Sequence, residues 1–218
     1  MEMIKSTENR RRSLRFQGWD YSREGVYFLT VCTQNKEHLF GEIVDGSMHP
    51  HASGEMVLQT WEELPRRFPV LELDARVLMP NHFHAIVVLC RGESCIRPAS
   101  ADPQNIIYSD ERYQPEKGEH KVRPYEKRPW GTASESIGRI VQAFKSLTTY
   151  QYIQGIKASG WLPFKGKLWQ RNYYERIVRD EEEWERISEY IAANPINWAL
   201  DRENRDAIKT KPAEPWQV

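Results

Sequence analysis

No stretch of the chain approaches the ~18 to 20 consecutive apolar residues of a membrane span, and residues 1–15 are polar and basic, unlike a secretory signal. Both shortages lead to the expectation of a cytoplasmic protein with no membrane partner. Cysteine is scarce, with only Cys32, Cys90 and Cys95. Three thiols cannot all pair within one chain, and none shows the C-x-x-C spacing of a zinc site, so reduced thiols are expected. Net charge is missing as well, because 31 Lys plus Arg balance 31 Asp plus Glu. Nothing therefore draws the whole molecule toward a polyanion, and any such affinity must come from a local basic surface. Apolar residues make up only 39%, yet eight Trp, ten Tyr and seven Phe supply large units for burial. There is no internal repeat, and 218 residues suffice for one domain while being few for two.

The expected organisation is a basic arm at 1–20, one domain at 21–200 with an insertion at about 91–130, and a polar tail at 201–218. VYFLTVCT, from Val26 to Thr33, is rich in β-branched and aromatic residues and predicts a strand. Gly41 to Gly54 reads as a turn-rich connection, and Glu55 to Phe68 as a helix before Pro69. Two apolar runs flanking Pro80-Asn81 predict a hairpin between Leu73 and Leu89. The insertion holds five prolines and no periodicity, which predicts a loop. Ser134 to Tyr152 then reads as an amphipathic helix and Leu168 to Val178 as a strand. A last helix begins at Asp180, with Glu183 three residues on as in a capping box, and ends at Asn194-Pro195, where proline disfavours the α region for its predecessor. This order predicts an α+β fold with one antiparallel sheet and packed helices.

Three features carry chemistry. His82 and His84 open a predicted strand, so alternation places both imidazoles on one face and Phe83 on the other. They are either a metal-binding pair or hydrogen-bonded strand residues near a turn. Tyr190 and Asn194 lie four apart on the last helix and share a face. An amide oxygen is an acceptable ligand for Mg²⁺ or Mn²⁺, and a phenol beside a metal-bound phosphate is a possible nucleophile. The plainer alternative makes Tyr190 a packing residue and Asn194 a helix end. Between Ser134 and Arg179, eight cations face only Glu135 and Glu175, interleaved with aromatic residues such as Trp161, Trp169 and Tyr173. Cations for phosphates and rings for bases suit a single-stranded nucleic-acid groove. A solvated helix face over core aromatics fits equally.

LMPNHFHAIVVL resembles the HUH motif of single-tyrosine transposases, and LWQRNYYERIVRDEEEWERISEYIAANP resembles their REP-associated branch, where tyrosine and asparagine occur as Y-x-x-x-N-P. FKSLTTY and YFLTVCTQNKEHLFGEI are similar to the same branch, over roughly residues 13–205. The resemblance implies a ferredoxin-like (RRM-like) HUH nuclease fold. It implies a metal-dependent transposase that cleaves and rejoins single-stranded or hairpin DNA, acting as a monomer or homodimer. It assigns His82, His84 and Asn194 to the divalent metal and Tyr190 to the nucleophile. Lys145, Arg171 and Arg176 fall in matching basic stretches and are expected to contact DNA. Two alternatives are a catalytically silent DNA- or RNA-binding regulator and a metal hydrolase using water.

Overall fold

The computed structural model describes residues 22–90 and 135–207. The basic arm, the whole proline-rich insertion and residues 208–218 of the polar tail lie outside the described residues. The elements run β1 (Gly25–Cys32), β2 (Gly41–Val44), β3 (Ser47–Pro50), α1 (Ala52–Glu62), β4 (Leu71–Leu78), β5 (His82–Leu89), α2 (Ile137–Ser159), β6 (Tyr174–Val178) and α3 (Glu181–Ala193). Setting aside the β2–β3 hairpin, this is β-α-β-β-α-β followed by an extra helix. The four long-range strands form one antiparallel sheet in the order β4-β5-β1-β6. That order is the ferredoxin-like arrangement, with α+β layers as expected.

Alternation along the two central strands separates the faces. Tyr27, Leu29 and Val31 of β1, with Phe83, Ala85, Val87 and Leu89 of β5, point into a core closed by α1 and α2. Trp61 of α1 meets Phe83 with ring centroids 4.8 Å apart and Phe144 of α2 at 5.2 Å, both edge to face. Such pairs add about 0.5–1.5 kcal/mol each beyond area burial. Phe28 and Ile86 point the other way, toward Ile187 and Ile191 of α3. Thus α3 covers the face of the sheet that carries the histidines, and no described helix is long and apolar enough to cross a membrane.

Several local readings differ from the structure. The connection at 41–54 contains a hairpin, turned by Asp45 (φ 50°) and Gly46 (φ 73°). Positive φ at both central residues is what a tight hairpin turn needs, and Asp-Gly provides it. α1 starts at Ala52 and stops at Glu62, with a 3-10 turn containing Pro65 after it. α2 runs on to Ser159 because Gly155 is tolerated beneath the Trp161 ring, and Gly160 then ends it in the left-handed region. Strand pairing starts only at Tyr174, since Trp169 makes an isolated bridge to Thr33. Cys90 is disulfide-bonded, against the expectation of reduced thiols, which holds for Cys32.

The start of α3 follows its sequence signal. Asp180 Oδ1 accepts the Glu183 N–H at 2.7 Å, while Glu183 Oε2 accepts the Arg179 N–H at 2.9 Å, one residue before the cap. The end differs in cause. Asn194 remains in the α region (φ −58°, ψ −44°) despite Pro195, and the chain continues through a 3-10 turn, Trp198–Leu200.

Candidate metal and tyrosine site

β5 lies antiparallel to β1 in a register that sets His84 opposite Thr30 and His82 opposite Cys32. His82 is fully buried and His84 nearly so, with their ring centroids 4.5 Å apart. Each Nδ1 is anchored. His84 Nδ1 lies 2.8 Å from Thr30 Oγ1, and His82 Nδ1 lies 2.8 Å from Asn81 Oδ1. Both Nε2 atoms are left facing α3 and the turn behind it. A ring held through one nitrogen presents the other as an oriented ligand.

α3 brings Tyr190 to this pair. Its hydroxyl stands 3.4 Å from His84 Nε2, and its ring meets Phe28 edge to face, which in turn stacks on His84. Asn194, one turn further on, is buried, and its amide influences both His82 and Tyr190. The segment after the 3-10 turn adds Asp201, whose Oδ2 is 3.8 Å from His82 Nε2. One ligand atom from each of His82, His84 and Asp201 lies within 4.8 Å of the others.

Burial dominates the electrostatics. It pushes His82 down to about 3, opposed by the Asn194 amide, and holds His84 well below the usual histidine range, aided by the neighbouring His82. Both rings are therefore neutral at neutral pH, the form in which imidazole binds metal. Burial also raises Tyr190 to about 12, with the Asp201 charge acting in the same direction and Asn194 against it. Asp201 is itself raised by burial.

The donor set fits a divalent ion. His82 Nε2 and Asn194 Oδ1 are buried without a hydrogen-bond partner, and each such orphan costs roughly 1–3 kcal/mol. Two ligands about 2.1 Å from one ion at right angles are roughly 3 Å apart, so the 3.8 Å between His82 and Asp201 is a slightly open version of that geometry. Imidazoles with carboxylate and amide oxygens suit Mn²⁺ or another first-row ion at least as well as Mg²⁺.

The sequence readings thus meet in one place for His82, His84, Tyr190 and Asn194. The cations do not gather there. Lys145 Nζ donates to the carbonyls of Gln170 and Asn172, 3.0 Å each, and burial lowers it to about 8. Arg176 is paired with the buried Glu183, Nε to Oε1 2.6 Å. Arg171 is exposed. Beside the site, a cavity of about 530 Å³ is lined by Lys36, His38, Lys165 and Arg205 among others. Its His38 touches Trp198, which touches His82.

Sequence reasoning missed Asp201, Asn81 and Thr30. Asp201 falls in the expected polar tail, yet Asp201 to Ala207 pack against the domain, with Glu203 paired to Lys36 at 3.4 Å. The signal for this was Trp198 just before it, a large ring that meets His82. Asn81 and Thr30 carry no signal separate from turn and strand.

No family model matches the chain. Among solved structures it is similar to a REP-associated tyrosine transposase bound to a REP hairpin, at 15% identity and a TM-score of 0.49, covering 86% of this chain and 77% of that one. A Deinococcus radiodurans chain described as a candidate transposase is similar at 16% identity and a TM-score of 0.35, covering 82% and 95%. Those values leave function to be argued from the side chains. An uncharacterized protein of Haemophilus influenzae is 35% identical over 198 residues, 88% of this chain and 92% of that protein, and the chain belongs to the family of that protein.

Proposed function

We propose that the protein is a metal-dependent single-stranded DNA transposase of the HUH type, which cuts and rejoins strands through Tyr190. The observation that carries this reading is the convergence of two Nδ1-anchored imidazoles, a carboxylate, a buried amide and a tyrosine hydroxyl on one spot.

His82, His84 and Asn194 would hold the ion, with Asp201 as a further oxygen donor. A bound divalent ion supplies polarisation of the scissile phosphodiester and offsets its developing charge. Tyr190 gives up its proton and its oxygen attacks phosphorus. The bond from phosphorus to the 3′-oxygen breaks, leaving a 5′-phosphotyrosyl link, and the departing 3′-oxygen takes up a proton. One phosphoester replaces another, so attack by a 3′-hydroxyl reverses the step without external energy. Phe28 limits where the Tyr190 ring can go, which holds its oxygen over the histidines.

The substrate by family resemblance is a short palindromic repeat with a single-stranded flank. A duplex phosphodiester is harder to align with a single half-buried tyrosine. Arg171 is exposed, as are Lys165 and Arg205 of the neighbouring cavity, and these are the cations that would meet phosphates. The test is cleavage of labelled hairpin DNA with Mn²⁺ or Mg²⁺. Binding without a covalent adduct would move the reading to a DNA-binding regulator; cleavage with no adduct would indicate a water nucleophile.

A further inference from the structure

Asn81, at the turn between β4 and β5, is fully buried and uses its whole side-chain amide. Its Nδ2 donates to the carbonyl of Lys36 at 3.2 Å and of Glu203 at 2.7 Å. Carbonyls only accept, so the orientation of the amide is determined and its oxygen must be the atom facing His82 Nδ1 at 2.8 Å. An acceptor in front of Nδ1 requires Nδ1 to carry the proton. Nε2 then carries the lone pair, and Nε2 is the buried atom 3.8 Å from Asp201. This is the less favoured tautomer of a free histidine side chain, so something must select it. Thr30, the partner of His84, has a hydroxyl that can donate or accept and selects nothing by itself.

A second observation concerns the Lys36 carbonyl. Asn35 and Lys36 both have positive φ, 59° and 56°, in a region that side chains other than glycine rarely adopt. The Asn81 hydrogen bond is one of the contacts that hold this backbone in place. Glu203, the other carbonyl, lies two residues beyond Asp201, and its N–H donates to Asp201 Oδ1 at 2.6 Å.

We propose that Asn81 is a positioning residue of the metal site. It fixes His82 as the Nδ1–H tautomer, and the same amide ties that histidine to the turn bearing Asp201. This rests on the metal reading of the site given above. Asn81 would act through His82 and the Asp201 turn, and is not itself a ligand in this reading.

The experiment uses the ¹⁵N-labelled full chain without metal, followed by Mn²⁺ titration read by electron paramagnetic resonance. In the wild type, long-range ¹H–¹⁵N spectra should show His82 protonated on Nδ1. Asn81→Ala should lose that signature and bind Mn²⁺ about 10–100-fold more weakly. Asn81→Asp can still accept from Nδ1–H but cannot donate to the two carbonyls. It should keep the tautomer and bind Mn²⁺ more tightly than Asn81→Ala while unfolding more readily than wild type, which a merely structural role would not produce. A wild-type His82 protonated on Nε2 overturns the proposal, even if the alanine variant does not fold. So does Mn²⁺ affinity in Asn81→Ala equal to wild type. A wild type that shows the Nδ1–H signature but binds no Mn²⁺ would instead overturn the metal reading, and the proposed role with it.

Discussion

The hydroxyl of Tyr190 is held 3.4 Å from His84 Nε2, yet burial keeps it protonated at neutral pH. To act as the proposed nucleophile it would need a nearby cation to make its anion accessible, and the histidine pair is where one would sit. Asp201 and Asn194 differ in what they add. Asp201→Asn removes a negative charge but keeps an oxygen donor, so Mn²⁺ affinity by calorimetry should fall about tenfold or more. Unchanged affinity would remove Asp201 from the donor set. Asn194→Ala should raise the metal concentration needed for cleavage while leaving DNA binding mostly intact. Unaltered cleavage at limiting metal would remove Asn194 from the site.

Position on an element explains what the sequence could and could not disclose. The faces of β5 and α3 follow from spacing alone, so His82 with His84, and Tyr190 with Asn194, were legible as pairs before any coordinates. Their meeting needed the β1–β5 register and the packing of Ile187 and Ile191 on Phe28 and Ile86. Which cations are free is a tertiary matter. Lys145 and Arg176, which the sequence offers as DNA contacts, also have hydrogen-bonding partners 7 to 27 residues away. Arg176→Gln should therefore destabilise the fold by about 3–5 kcal/mol, because Glu183 would stay buried without its cation. Denaturant unfolding checks this, and a loss under 1 kcal/mol would mean that Glu183 finds water or another donor. The Asp45-Gly46 hairpin was legible in principle, since that dipeptide demands it, but a reading by composition passes over four-residue strands.

At the scale of the molecule, zero net charge means that any DNA would have to be gathered locally. Arg171 is exposed and lies in the segment between α2 and β6. Arg171→Gln should weaken binding to all sequences alike and reduce the salt slope by about one, with stability unchanged. An unmoved slope would place the phosphates elsewhere, and the cations of the cavity beside His38 would be next. The fold would supply rigidity for the proposed chemistry: the histidines sit on a central strand and the tyrosine on a helix packed across it, so these side chains are not on loops. The most direct measurement is denaturing electrophoresis of labelled single-stranded hairpin DNA after incubation with Mn²⁺, for the wild type and Tyr190→Phe. The tyrosine mechanism requires a covalent protein–DNA adduct that depends on metal and is lost in the variant, with DNA binding retained. Cleavage that survives in Tyr190→Phe would contradict it.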